Sequence, residues 1–181
     1  MRATREIVAE RGWAGVNFDE VAKRSGVGKS SLYLRWSSKA DLVVASVRDL
    51  AGTVESIDNG SLRADLLELG QYFFDVLFSP SGLAVFRLIT DLRYVPELRA
   101  AVDADGLSRV VRTPGRLARR GKERGELPPG VSAAFVADML VGSILNHVIS
   151  APPGRIEQVK LTGGDYVRTL VDTILAGVRA G

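Results

Sequence analysis

The residues best suited to chemistry in this sequence form a short run of cationic and hydroxyl side chains. Lys29, Ser30, Ser31, Tyr33 and Arg35 carry ammonium, hydroxyl and guanidinium groups within seven consecutive positions. Lysine and arginine can reach the acceptor atoms of guanine in the DNA major groove, and serine can act as donor or acceptor there. The chemistry indicated is binding rather than catalysis, and the partner it suits is double-stranded DNA.

Two short helices joined by a glycine turn are predicted to position these side chains. The segment from Phe18 to Trp36 places a small residue, Ala22, where two helices would approach, and Gly26 at the turn. Glycine adopts a positive φ at little cost, so Gly26 can end the first helix and redirect the chain. The apolar residues expected to point inward and form a small core are Ile7, Phe18, Val21, Val27, Leu32 and Trp36.

Polar residues on either side of this hairpin predict helix starts. Asn17 precedes Glu20 by three residues, and Ser38 precedes Asp41 by the same spacing. In a capping box the first side chain accepts a hydrogen bond from the backbone N–H three residues later. Lys39, beside Ser38, would flank the exposed helix, where an ammonium donor suits a contact with phosphate.

Residues 5 to 45 resemble the DNA-binding domain of the TetR (tetracycline repressor) family. The features that carry the resemblance are Gly12, Gly15, Val21-Ala22, Gly26-Val27, Leu32-Tyr33 and the run from Ser38 to Leu42. It implies that Lys29, Ser30, Ser31, Tyr33 and Arg35 contact the operator, with Asn17 and Lys39 on its backbone. The sequence departs from the usual family pattern at Asn17, Gly28, Arg35 and Trp36, and Gly28 weakens the predicted cap of the second helix.

Helical spacing of apolar residues recurs along the whole chain, and no alternating strand pattern is found. We expect an all-α fold, with a three-helix helix-turn-helix DNA-binding domain over residues 1–50. A helical effector-binding and dimerisation domain is expected over residues 51–181. Predicted helices cover residues 2–12, 18–25, 28–35, 38–54, 61–78, 83–94, 97–124, 131–150 and 164–179.

The helices predicted near residues 131–150 and 164–179 carry more apolar surface than one neighbour would cover. The last helix has a wide apolar stripe, and the preceding one is apolar almost all round. The resemblance implies that both helices pair with their copies in a four-helix homodimer interface. The alternative is a helix fully buried within a monomer.

The resemblance also implies a cavity for a small-molecule effector, which the sequence does not identify. The arginine-rich run from Arg109 to Arg124 predicts a solvated helix face, and the alternative is an anion site for a phosphate-bearing effector such as a coenzyme A thioester. Six residues could line an effector cavity, although the sequence favours ordinary core packing for the apolar ones and for the histidine: Phe73, Phe74, Phe86, Ile89, Asn146 and His147.

Composition excludes several classes of protein. The chain has 181 residues, no cysteine and a single histidine, so neither a disulfide framework nor a metal site is predicted, and no cofactor is expected. No catalytic constellation is evident, which argues against an enzyme. Charged residues interrupt the N-terminal segment, and Asp138, Asn146 and His147 interrupt the most apolar one, so we expect a cytoplasmic protein with neither signal peptide nor membrane span. The first 50 residues hold nine basic and six acidic side chains, a modest excess of positive charge of the kind that favours binding to nucleic acid.

Together these patterns predict a TetR-type transcriptional repressor that binds a palindromic operator as a dimer and is released by a small molecule. The alternative is a small-ligand carrier or protein-interaction module with a vestigial helix-turn-helix. Duplex binding without sequence preference or salt dependence would favour that alternative.

Overall fold

The computed structural model describes residues 1–48, 54, 56–79 and 82–179, and within these ranges the regular structure is helical, without strands. Two compact units are present, one made of Met1–Gly52 and Ser79–Val110, the other of Thr53–Phe78 and Val111–Gly181. Packing therefore places residues 79–110 with the N-terminal segment. The division of function near residue 50 stays a prediction.

The helices begin and end close to sequence features that favour those boundaries. Asn17 and Ser38 cap two of them through their side chains, and Gly26 ends one in the left-handed region. In chain order they are α1 (Arg2–Gly15), α2 (Phe18–Ser25), α3 (Lys29–Arg35), α4 (Lys39–Val47), α5 (Leu62–Phe78), α6 (Gly82–Asp91), α7 (Pro96–Asp105), α8 (Ser108–Val111), α9 (Thr113–Glu123), α10 (Ala133–Ile149), a short 3-10 turn (Pro153–Arg155), α11 (Ile156–Leu161) and α12 (Gly163–Arg179).

In the first unit, α1 packs against α6 and α4, and α4 packs against α7. The core of this unit consists of buried aliphatic side chains from these helices together with Phe18, Val21 and Leu32 of the hairpin. Burial of each such side chain contributes about 1.5–3 kcal/mol. The α2–α3 hairpin is thus anchored on a hydrophobic core that α1, α4, α6 and α7 supply.

In the second unit, α5 packs against α9, α10 and α12. The core is built from side chains spaced three and four residues apart on each helix, as amphipathic helices require. The fully buried members include Leu62, Leu66, Phe74, Leu117, Leu140, Ile144 and Val171. Among the described residues no single helix is long and apolar enough to cross a membrane. Taken together, α10 and the segment Pro153–Leu161 have the length and composition of a membrane span, but the two parts are bent by 107°.

One predicted helix, over residues 97–124, is wrong, because the chain there forms α7, α8 and α9. Gly106 ends α7 with a φ of +87°, a conformation that glycine tolerates and other residues rarely adopt. Pro114 lies in the first turn of α9, where a missing N–H costs nothing. The helix predicted over 38–54 ends earlier than expected: α4 ends at Val47, residues 49–53 lie outside the described residues, and Val54 is in a turn.

Candidate nucleic-acid interface

The turn between α2 and α3 follows the predicted arrangement. Gly26 has a φ of +71°, and its N–H donates to the carbonyl of Ala22 at 3.0 Å, which closes α2. An alanine here would be strained by the backbone alone, since nothing lies close enough to clash with its Cβ. The predicted core position of Val27 is wrong, because this residue follows the left-handed turn and its side chain is 44% exposed.

The polar side chains predicted to face outward on α3 are all exposed. Leu32 is the buried residue of this helix and anchors it to the core. Burial of that single position leaves the remaining surface of a two-turn helix free to enter a groove. The exposed members of the predicted site on α3 are Lys29, Ser30, Ser31, Tyr33 and Arg35.

The ammonium of Lys29 has a partner that the sequence analysis did not anticipate. Its Nζ lies 2.5 Å from Oδ1 of Asp19 on α2, and 5.8 Å from the centre of the Tyr33 ring. The hydrogen bond to Asp19 raises the pKa of Lys29 above its ordinary value. Both side chains are exposed, so this pair orients the lysine toward Asp19 and leaves its ammonium within reach of DNA.

The ring of Tyr33 is fixed by stacking. Its centroid lies 4.3 Å from that of Phe18, with the two planes inclined by 21°. Phe18 is buried while Tyr33 is 53% exposed, so the tyrosine packs on Phe18 through one face of its ring and about half of the residue stays accessible. A ring held in this way can present its hydroxyl to a phosphate with little loss of conformational freedom.

Asn17 and Ser38 begin the helices on either side, as the capping pattern predicted. Oδ1 of Asn17 accepts from the N–H of Glu20 at 2.8 Å, and Oγ of Ser38 accepts from the N–H of Asp41 at 3.0 Å. The Glu20 carboxylate lies 3.6 Å from Arg24, so its side chain forms an ion pair along α2. The amide nitrogen of Asn17 remains at the surface, where it can donate to a phosphate.

Lys39 lies at the start of α4, partly buried. Its Nζ lies 4.1 Å from the centre of the Trp13 ring, a cation–π contact. Burial lowers the pKa of Lys39, and the negative charges of Glu97 and Asp91 oppose that shift in part. The predicted phosphate contact of Lys39 therefore starts from a side chain that an aromatic ring already holds.

Leu34 is a candidate contact that the sequence analysis missed. It lies on α3 and is 86% exposed. The signal was present, because Leu32 occupies the core position of a two-turn helix and a residue two places on must point elsewhere. An exposed apolar side chain beside donors is suited to contact the methyl group of thymine, which the major groove displays.

The residues predicted to line an effector cavity are divided between the two units. Phe86 and Ile89 lie on α6 of the first unit, half-buried and exposed respectively. In the second unit, Phe73 is half-buried on α5 and Asn146 is exposed on α10. Their role in binding an effector stays a prediction.

Two of the predicted cavity residues are engaged in packing within the second unit. Phe74 is 1% exposed, and its ring centre lies 5.0 Å from that of Phe78. The His147 ring stacks on Tyr166 at 3.8 Å, and the Tyr166 hydroxyl donates to the carbonyl of Ser143 at 3.1 Å. These contacts favour the core role that the sequence also allowed for both residues.

The expected solvated face on the arginine-rich run is wrong for part of α9. Nη2 of Arg120 lies 2.6 Å from Oδ2 of Asp65, and Nη2 of Arg124 lies 3.2 Å from the same oxygen. Asp65 is fully buried on α5. Two guanidinium groups of this run therefore form ion pairs with a buried carboxylate, and this weakens the alternative of an anion site for an effector.

The glycine turn, the buried anchor on α3 and the exposed basic face define a helix-turn-helix protein of the DNA-binding class. Residues 1–46 match the family described as "Bacterial regulatory proteins, tetR family", and residues 56–174 match "Tetracyclin repressor-like, C-terminal domain". The chain belongs to the TetR family. This confirms the predicted class: a transcriptional regulator that binds DNA, and not an enzyme.

Individual relatives agree with this assignment. The uncharacterized HTH-type transcriptional regulator YdeS of Bacillus subtilis (strain 168) is 25% identical over 194 residues, 99% of this chain and 88% of YdeS. The solved TetR family transcription regulator SCO0332 is 27% identical, with a TM-score of 0.61 over 98% of this chain and 94% of that one. The transcriptional regulator FadR from Bacillus subtilis, solved in complex with stearoyl-CoA, is 17% identical with a TM-score of 0.67 over 97% and 96% of the two chains. This last likeness shows the fold alone.

Proposed function

We propose that this chain is a homodimeric repressor that acts in the cytoplasm, where it binds a palindromic operator and leaves it when a small molecule binds. The observation that carries the proposal is the exposed face of α3, on which a lysine, an arginine and hydroxyl groups surround one buried leucine. Residues 1–50 would read DNA and residues 51–181 would dimerise and bind the effector. Each copy would place α3 in one of two major grooves, roughly 34–36 Å apart on one side of the duplex.

Within each half-site the polar residues divide by the chemistry they offer. Lys29 and Arg35 carry cations that suit guanine acceptors, with Ser30 and Ser31 as shorter partners for bases. Three other residues, Asn17 before α2, Tyr33 on α3 and Lys39 at the start of α4, suit phosphate oxygens, which set register rather than sequence preference.

The proposed dimer interface follows from the exposed face of α10. Phe135 is 57% exposed and Ile149 is 51% exposed, and Gly142 lies seven residues from each. In a two-fold interface, residue i of one copy meets residue j of the other and the reverse. An antiparallel crossing of two α10 helices at Gly142 would therefore place each Phe135 on the Ile149 of the second copy.

Removing the large side chain from this face should weaken the dimer. Phe135→Ala is expected to raise the dissociation constant about tenfold, because the apolar area that the ring buries between copies is lost. Sedimentation equilibrium over a dilution series measures that constant. The matched control is Leu161→Ala, which removes an apolar side chain that is 80% exposed on α11, outside the proposed interface. A wild-type monomer, or an equal effect of both variants, would contradict the proposed interface.

Release by an effector is proposed from the helical second unit. FadR shares the fold and was solved with stearoyl-CoA, so this architecture accommodates a small molecule in at least one protein. A ligand that binds one arrangement of the dimer more tightly shifts the population toward it, and a spacing between reading helices that no longer fits the duplex would release DNA. Phe73 and Asn146 remain the proposed aromatic and polar contacts with an effector in the second unit.

Selection of duplexes from a random pool tests the proposed function. We expect enrichment of sequences with two inverted half-sites about one helical turn apart, with affinity that falls as salt rises. Repeating the selection with acyl-CoA thioesters, the class of molecule bound in the FadR structure, should identify an effector that abolishes retention of the duplexes. Recovery of unrelated sequences with no salt dependence would instead support the ligand-carrier or interaction-module alternative.

A further inference from the structure

Trp13 lies at a break in α1 that ties it to α6. Gly12, the residue before it, has a φ of +65° and a ψ of −165°, outside the helical range. The N–H of Trp13 donates to Oδ2 of Asp91 at 2.9 Å, across 78 residues of sequence. Because the break removes this N–H from the helical hydrogen-bond ladder, the carboxylate at the end of α6 replaces the missing acceptor.

The aromatic face of Trp13 holds the ammonium of Lys39, with 4.1 Å between Nζ and the ring centre. The negative charges that act on this ammonium come from Glu97 on α7 and from Asp91 itself. Burial lowers the pKa of Lys39, and these two carboxylates oppose the shift. Three elements, α1, α6 and α7, therefore surround a lysine at the start of α4.

A lysine held in this way differs from a free surface lysine in what DNA binding costs. A free lysine side chain loses much of its rotamer freedom when it contacts a phosphate. Ordering that side chain before binding reduces the loss, and affinity rises without any new contact. The contact with the Trp13 ring supplies that order, and the hydrogen bond from the Trp13 N–H to Asp91 holds the backbone that carries the ring.

We infer that Asp91 is a positioning residue for DNA binding: its carboxylate fixes Trp13, whose ring holds the Lys39 ammonium ready for a phosphate oxygen. The inference rests on the proposed phosphate contact of Lys39. It adds a residue of α6, distant in sequence from the helix-turn-helix, to the determinants of affinity, although Asp91 itself has the wrong charge to touch a phosphate.

The test measures binding of the full-length chain to one duplex of arbitrary sequence, as a function of salt. Lys39→Ala should reduce the slope of log affinity against log salt by about one unit for each bound copy, because each copy loses one phosphate contact. Asp91→Ala should weaken binding roughly two- to tenfold, the cost of ordering one long side chain. Asp91→Asn should bind as wild type, since the amide oxygen still accepts the Trp13 N–H. The charge control is Asp103→Ala, an exposed residue paired with Arg99 on α7, which should leave Lys39 in place.

Combining the variants separates a positioning role from a structural one. Asp91→Ala should have no further effect in the Lys39→Ala background, whereas an equal loss in both backgrounds would show that Asp91 only supports the fold and would overturn the inference. Trp13→Leu, which keeps the backbone hydrogen bond and removes the aromatic face, should reproduce the loss even if Asp91→Ala unfolds. An unchanged salt slope in Lys39→Ala would show that Lys39 makes no phosphate contact, and it would overturn the inference. If that variant still selected the same operator sequence, the repressor proposal would be unaffected.

A spectroscopic readout follows from the two tryptophans of the chain, Trp13 and Trp36. In a Trp36→Phe background the emission reports on Trp13 alone. Adding duplex should shift this emission when Lys39 is present, because a phosphate oxygen then binds the ammonium that lies over the ring, and should leave it unchanged in Lys39→Ala. Identical shifts in both proteins would contradict the proposed contact.

Discussion

Replacing Asp65 with alanine is expected to lower the free energy of unfolding of the second unit by about 3 kcal/mol. The Asp65 carboxylate is fully buried, and it accepts hydrogen bonds from Arg120 at 2.6 Å, from Arg124 at 3.2 Å and from the N–H of Asn59 at 2.7 Å. Removing it leaves two guanidinium groups and one N–H without their common partner. Both arginines keep some contact with solvent, which places the expected loss at the lower end for a broken buried ion pair.

Denaturant unfolding followed by circular dichroism measures this loss, with two variants as controls. Asp65→Asn keeps an acceptor for the Asn59 N–H but removes the charge, so it should be destabilised less than the alanine variant. Asp172→Ala breaks an ion pair with Arg63 in which both side chains are half-exposed, and it should change stability little. If the Asp65 and Asp172 variants were destabilised equally, the Asp65 network would be no more than a surface feature.

The stability that Asp65 confers should depend on pH in a defined direction. Burial alone would raise the pKa of Asp65, but hydrogen bonds from Asn59, Arg120 and Arg124 outweigh it and hold the pKa below its ordinary value of 3.8. A carboxylate whose pKa is lower in the folded state stabilises the fold above its unfolded pKa and loses that effect as pH falls through the folded value. The difference in stability between the wild-type protein and Asp65→Asn should therefore be constant near neutral pH and shrink below about pH 3.8.

The helix-turn-helix was predictable because its determinants are local. A cap at Asn17, a left-handed glycine at Gly26 and a second cap at Ser38 each act over three or four residues, and each forms the expected hydrogen bond or φ. Val27 is the local failure: valine suits a core, but the position after the turn faces solvent. Turn geometry therefore prevailed over side-chain polarity at that residue.

The buried ion pair of the second unit and the hydrogen bond behind the Lys39 site were not predictable, because each joins residues far apart in sequence. Arg120 meets Asp65 across 55 residues, and Trp13 meets Asp91 across 78. A run of basic residues predicts a solvated helix face unless its acidic partner is known. Asp65, an acidic residue on the apolar face of α5, was the signal that such a partner existed. The break of the segment 97–124 into three helices has the same origin in part, because Gly106 and Pro114 set the ends but packing sets the directions.

Replacing Lys29 with alanine is expected to relax the preference for one base pair in each half-site and to weaken binding to the selected operator roughly 5- to 150-fold for each half-site. The expectation follows from geometry, since Lys29 lies in the first turn of α3, exposed, with its ammonium directed by Asp19 at 2.5 Å. A cation held in one direction can distinguish guanine acceptors from the other bases at a single position. Binding should be measured on the selected duplex and on its variants at every half-site position.

The control is Lys39→Ala, which removes the same charge from the same surface but at the proposed phosphate position. It should weaken binding to all duplexes by one common factor and leave the ranking of sequences unchanged, because phosphates carry no sequence information. Asp19→Asn, which removes the directing carboxylate and keeps Lys29, should broaden the preference at the same base pair while strengthening binding to unrelated duplexes. Lys29→Ala and Lys39→Ala should therefore change the ranking of duplexes differently. If both variants weakened binding to every duplex by the same factor, the division of this surface into base-reading and phosphate-binding residues would be wrong, because the Lys29 ammonium would then contribute no sequence preference.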